Sequence, residues 1–133
     1  MSRAQSLVEL AVCAPVVMLL ALGTVNTVEI VQARAGLEAA TQAAAAEAAS
    51  APDAATAERT AQARFAAVIA GYPLRSAVLR ITVAGFARTD DVAANSSAEV
   101  DLIGPAAGAR GALTLRSSTS IPLEPWRTHT TKP

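Results

Sequence analysis

The longest apolar run in the chain is residues 7–25, LVELAVCAPVVMLLALGTV, which holds a single charged side chain, Glu9. As a helix these nineteen residues would measure about 28 Å at 1.5 Å per residue. That is close to the roughly 30 Å of hydrocarbon in a bilayer, so the pattern predicts one membrane span. No second run of comparable length follows, which leaves the rest of the chain on one side of the membrane. Arg3 and the amino terminus flank the run on one side and Arg34 on the other, too even a balance for charge to set the orientation. Past the run, residues 24–50 lack proline and scatter Glu29, Gln32, Glu38, Gln42 and Glu47 among alanines. Alanine favours helix more than any other residue, so the helix is expected to continue as an Ala-rich stalk. Val28, Val31, Ala35, Ala39, Ala43 and Ala46 follow a three/four spacing and predict a narrow, smooth face. A helix from Ser6 to Ala49 would reach about 66 Å. The remaining chain is too small to bury such a rod, which must pack on partners or bend back.

Ser50-Ala51-Pro52-Asp53 breaks the helical pattern and starts another, with Ser50 as the expected cap and Pro52 and Asp53 in the first turn. This second helix should run to about Ala70, with Ala54, Ala57, Ala61, Phe65, Val68 and Ile69 on one face. Gly71 and Pro73 stop it. The period then changes from helical to alternating. Leu79-Arg80-Ile81-Thr82-Val83, Ala98-Glu99-Val100-Asp101-Leu102 and Leu113-Thr114-Leu115-Arg116 each place apolar residues at every second position. Gly104-Pro105 through Gly108 and Gly111 read as the loop between the second and third strands. A small three-stranded antiparallel sheet with one solvated face fits this alternation, and on that face Arg80 or Arg116 is expected beside Glu99 and Asp101. The fold class is therefore α+β. The tail from Ile121 to Pro133, rich in proline and threonine, is expected to be ordered as far as Trp126, with that indole packed on the sheet or turned to a partner.

Composition narrows the functional classes. Hydrophobic residues make up 52% of the chain but aromatics only 3%, so the apolar total is alanine-heavy and overstates the core. Lys+Arg and Asp+Glu stand at 11 each without a block of like charge, which argues against nucleic acid as a partner and against a polybasic membrane patch. The one histidine, His129, sits in the tail, and no His/Cys cluster has metal-ligand spacing. Asp90 and Asp91 alone make a weak cation site and read as a solvated turn. The glycines form no phosphate loop. Catalytic residues, a cofactor, a metal site and a small-molecule substrate are not implied, and the chain does not read as an enzyme. Cys13, the single cysteine, lies inside the apolar run, where a free thiol acts as a small hydrophobe; a lipoprotein signal would place the cysteine after the run.

Glu9 and Pro15 are the two residues that an inert anchor would not need. A carboxylate near the start of a membrane helix must snorkel, protonate or pair. Two readings stay open on spacing alone: Glu9 at the headgroup boundary, or Glu9 paired with a cation from a neighbouring subunit. Pro15 removes one backbone hydrogen bond and crowds the Ala11 carbonyl, so a kink near residues 11–15 is expected.

The stretch Arg3-Ala4-Gln5-Ser6-Leu7-Val8-Glu9-Leu10-Ala11, with Pro15 six residues after Glu9, resembles the start of TadE/TadG-like proteins, the minor pilin-like subunits of tight-adherence (Tad) pili. The run Met18-Leu19-Leu20-Ala21-Leu22-Gly23 and the alanine-rich helix after it are also similar to that family. The resemblance implies a pilin-like fold divided as a short basic leader (1–4), a transmembrane and assembly helix (5–26), the stalk (27–50), a small α+β head (51–121) and a tail (122–133). It implies cleavage by a prepilin peptidase between Ala4 and Gln5, which leaves Glu9 at the fifth mature position to accept the new α-amine of an adjacent subunit. Ala4 stands where the family has glycine, which implies slow or absent processing. The implied setting is the bacterial inner membrane, with the head outside the cytoplasm, and other pilin subunits as partners through the N-terminal helix. Two different classes compete: a soluble exported binding protein released by signal peptidase after Gly23, and an uncleaved single-pass anchor that scaffolds another complex.

Overall fold

A computed structural model describes residues 2–83, 90–105 and 108–123. Two helices, α1 (Ser2–Ser50) and α2 (Ala54–Ile69), precede three strands, β1 (Arg75–Val83), β2 (Asp91–Ile103) and β3 (Arg110–Pro122). The strands form an antiparallel meander in the order β1-β2-β3. The 49 residues of α1 extend about 74 Å and run through Pro15 as one helical element. Trp126 and His129 lie outside the described residues, with the rest of the tail beyond Leu123.

The second half of α1 is not a freestanding stalk. It is the spine of the head, with α2 packed along it and the sheet laid over it. The buried positions are Ala33, Gly36, Leu37, Ala40, Thr41, Ala44, Ala45 and Ala48, a different face from the predicted one. Val28 and Val31 are 49% and 61% exposed, and Ala35, Ala39 and Ala46 also face outward. On a helix made mostly of alanine, several three/four-spaced series are equally apolar. Leu37, the largest apolar side chain of residues 33–49, decides which one turns inward. Because the contact residues are small, the helices approach closely and a short chain covers a long one.

Gly36 lets this face reach further. The Tyr72 ring lies against it, and a Cβ at residue 36 would overlap ring atoms. On α2, Ala57, Ala61 and Phe65 are buried, and Val68 and Ile69 pack beside them, as the spacing predicts; Ala54 is exposed. The cap is Asp53, not Ser50. Ser50 ends α1, its hydroxyl donating to the Glu47 carbonyl at 2.8 Å. Asp53 Oδ1 accepts from the Thr56 N–H and Oδ2 from the Thr56 hydroxyl, each at 2.9 Å. A carboxylate followed three residues later by a double donor outcompetes a serine that the preceding helix still holds.

Alternation in the strands is as expected, and their extents are greater. In β2, Val92, Ala94, Ser96, Ala98 and Val100 turn toward the helices. The first half of this strand, Ala93 to Ser97, is built from residues with weak strand preference, which hid it from a pattern search. β3 likewise runs on to Pro122, and Leu123 is buried. A bulge breaks the β1–β2 register: Ser76 and Ala77 stand against the single residue Ala98, with Ser76 at φ 50°. Arg80 pairs opposite Asn95 and Arg116 opposite Ser97, so neither meets Glu99 or Asp101. Arg75 holds Asp101 instead, at 3.0 Å on the surface.

Candidate functional site

α1 has two halves with opposite surroundings. From Arg3 to Ala21 every side chain is exposed, including Leu7, Val8, Leu10, Val12, Val16 to Leu20 at 54–75%. Leu22 and Asn26 are the first to be partly covered, and full burial begins at Ala33. A helix apolar on all sides, with no core of its own to enter, matches lipid or other apolar helices rather than water. By length and composition this half of α1 is a candidate membrane span, and none of its most apolar stretch is buried.

Polar side chains at the end of this segment are internally satisfied. The Thr24 hydroxyl donates to the Leu20 carbonyl at 2.9 Å, and that of Thr27 to Gly23 at 2.8 Å. Such back-bonding is how hydroxyls sit on a helix at the edge of lipid. Asn26 does more. Its amide nitrogen donates to the Ile103 carbonyl at 2.8 Å, and its amide oxygen accepts the Ile103 N–H at 3.0 Å. This two-bond clasp ties the end of β2 to the helix where the apolar run stops.

Glu9 is exposed, and no hydrogen bond or ion pair joins it to another described residue. At 100° per residue, Glu9, Val16, Leu20 and Thr27 share a stripe. It lies about a third of a turn from the stripe of Pro15, Leu22, Asn26 and Ala33 on the head's side. The head therefore leaves the Glu9 stripe open along its length. Ala4 and Gln5, the expected cleavage pair, are exposed within the first turns of α1.

Among the described residues of the head, one pair of buried polar side chains is linked. Thr41 Oγ1 donates its single proton to the Leu37 carbonyl at 2.6 Å, so Ser96 Oγ, also 2.6 Å away, is the donor between the two hydroxyls. Gln62 Nε2 adds a bond to the Leu79 carbonyl at 3.1 Å between α2 and β1. Asn26, Gly36, Thr41 and Ser96 were not singled out by sequence reasoning. Asn26 carried a usable signal: an amide placed at the end of an apolar run has to find a partner.

A long helix, naked and apolar in its first half and the spine of a small α+β head in its second, defines a membrane-anchored protein of pilin-like build. Residues 4–46 match the family model described as TadE-like protein. Over that stretch the chain is similar to TadE-like proteins, and the match ends within α1, before α2 and the sheet. Comparison with curated proteins and with solved structures returned no match.

Proposed function

We propose that the chain is a minor pilin or pseudopilin that takes part in assembling or priming a Tad pilus. Its N-terminal helix is anchor in the membrane and lateral contact in the assembly. The observation that carries this is the exposure of every residue from 3 to 21, with Glu9 joined to no other described residue. A charged carboxylate costs about 2.5–3.5 kcal/mol at the centre of a membrane helix and less toward its end, where Glu9 stands, and a cation from a neighbour relieves that cost. Cleavage by prepilin peptidase between Ala4 and Gln5 would supply it as the α-amine of Gln5 on the next subunit. The head, held to one side of α1, leaves the Glu9 stripe free for that neighbour. In this reading the span is single, the head lies outside the cytoplasm, and the anchored state is in the bacterial inner membrane.

The exported soluble alternative requires a cut after Gly23. The helix is continuous there, and Thr27 is bonded to the Gly23 carbonyl, so that site is less open to a protease than a loop. Mass spectrometry of the mature chain tests the three readings. Gln5 as first residue is the expected result; Thr24 would indicate release by signal peptidase, and an intact Met1 or Ser2 an uncleaved anchor.

A further inference from the structure

The described residues at the end of the β2–β3 hairpin, Ile103 to Pro105 and Gly108 to Arg110, stand against the apolar end of α1. From Ile103, clasped by Asn26, the chain continues to Gly104 and Pro105, then returns through Gly108, Ala109 and Arg110. These residues and Pro15, Met18, Leu19 and Leu22 of α1 form the two walls of an open groove of about 720 Å³. Met18 to Leu22 lie four to eight residues before Asn26, or about 6–12 Å further down the helix axis. The hairpin tip is therefore level with side chains of the apolar run itself, not with the stalk above it.

The chemistry of the tip suits that depth. Leu102 to Gly111 reads LIGPAAGARG, with Arg110 as its one charged residue. Ile103 is 50% exposed. Backbone groups near the tip are paired as a low-water setting demands: Asn26 satisfies both those of Ile103, and the Gly104 N–H donates to the Ala109 carbonyl at 2.9 Å. Gly108 adopts φ +85°, and a Cβ at Gly104 would come within 2.7 Å of Ala109 Cβ, so glycine is required at both positions and neither adds a polar side chain.

We infer that this hairpin tip is a second membrane contact: it rests in the headgroup layer on the head's side of the bilayer, with a phospholipid in the groove. The acyl chain lies along Met18, Leu19 and Leu22, and the Arg110 guanidinium meets the lipid phosphate. Anion and fork geometry match, and an amphipathic element at this boundary sits about 5–10 Å deep. Together, anchor and tip fix the tilt of the head over the membrane, which a single helix would leave free to swivel. This rests on the reading of residues 7–25 as a bilayer span.

The test uses the full chain, one copy per lipid nanodisc, with an environment-sensitive fluorophore on a single thiol. Native Cys13, exposed on α1, reports the anchor; Ala109→Cys in a Cys13→Ala background reports the tip; Glu99→Cys in the same background reports the solvated sheet face. At residue 109 the expected result is blue-shifted emission, quenching by shallow spin-labelled lipid and loss of iodide quenching relative to residue 99. Arg110→Gln should restore part of the iodide quenching. Iodide quenching at 109 equal to that at 99, with Cys13 protected, would overturn the tip contact and leave the anchor standing. Shielding from both iodide and spin-labelled lipid would overturn it in favour of a protein contact. Iodide quenching at Cys13 as well would overturn both readings.

Discussion

The two halves of α1 use opposite residues for opposite surroundings. In the half from Leu7 to Leu20, leucines, valines and a methionine point outward all round the helix. In the half from Ala33 to Ala48, the covered face is almost wholly alanine and glycine, with Leu37 and Thr41 as its larger members. A soluble protein reading would reverse this, with large side chains inside and small ones where they fall. The contrast teaches that this helix is stabilised by two separate means. The first half gains from whatever apolar medium surrounds it, and the second from close approach of helix, helix and sheet. Each alanine buries little area, so the head depends on fit more than on quantity.

That difference can be broken from the head's side most easily. Ala44→Leu adds volume where α1 has none to spare and should cost about 1–3 kcal/mol by overpacking, read as a lower thermal midpoint of the detergent-solubilised chain. Leu19→Ala, a change of similar size in the first half, should leave that midpoint unmoved, because the head does not touch it through a buried contact. If both variants lower the midpoint equally, the division of α1 into two regimes is wrong. Thr41→Val comes next. It strands the Ser96 hydroxyl in the core at a cost of about 1–3 kcal/mol, and Thr41→Val with Ser96→Ala together should recover most of that loss.

The smallest expected effect concerns pH. Hydrogen bonds from the Thr56 N–H and then its hydroxyl hold the Asp53 carboxyl below its ordinary value. A group whose folded-state pKa is depressed adds stability above its unfolded pKa, and that share is lost as pH falls through the folded value. The head should therefore lose a little stability below about pH 4, and Asp53→Ala should be less stable at neutral pH yet lack this component of the acid response. Because Asp53 is at the surface, the difference is small and should shrink with salt. An unchanged acid limb in the variant would remove Asp53 as the cap that matters.

Much of this architecture was legible in the residues. The uninterrupted run ending at Val25, the proline and aspartate after Ser50, and the switch to alternation at Leu79 gave helix, helix and sheet in order. The face of α1 was not legible, because alanine repeated at nearly every position has no phase, and Leu37 stands out only once the head is placed. The early part of β2 was hidden for a related reason: Asn95, Ser96 and Ser97 look like a turn until Thr41 is found opposite Ser96. β1 pairs with the first part of β2, so that only Arg75, at its start, comes level with Glu99, and the arginine that meets Asp101 was misassigned. At the N-terminal end, Glu9 and Pro15 stood out as soon as they were read against a membrane, while the Asn26 clasp depended on a partner 77 positions away.

The most direct test is to change Glu9 to alanine and follow the protein to two places, the membrane and the sheared pilus fraction. The account predicts wild-type or higher levels in the membrane, since a carboxylate has been removed from an apolar helix, and loss from the pilus fraction. Wild-type incorporation of the alanine variant into pili would contradict the claim that subunits meet through this side chain.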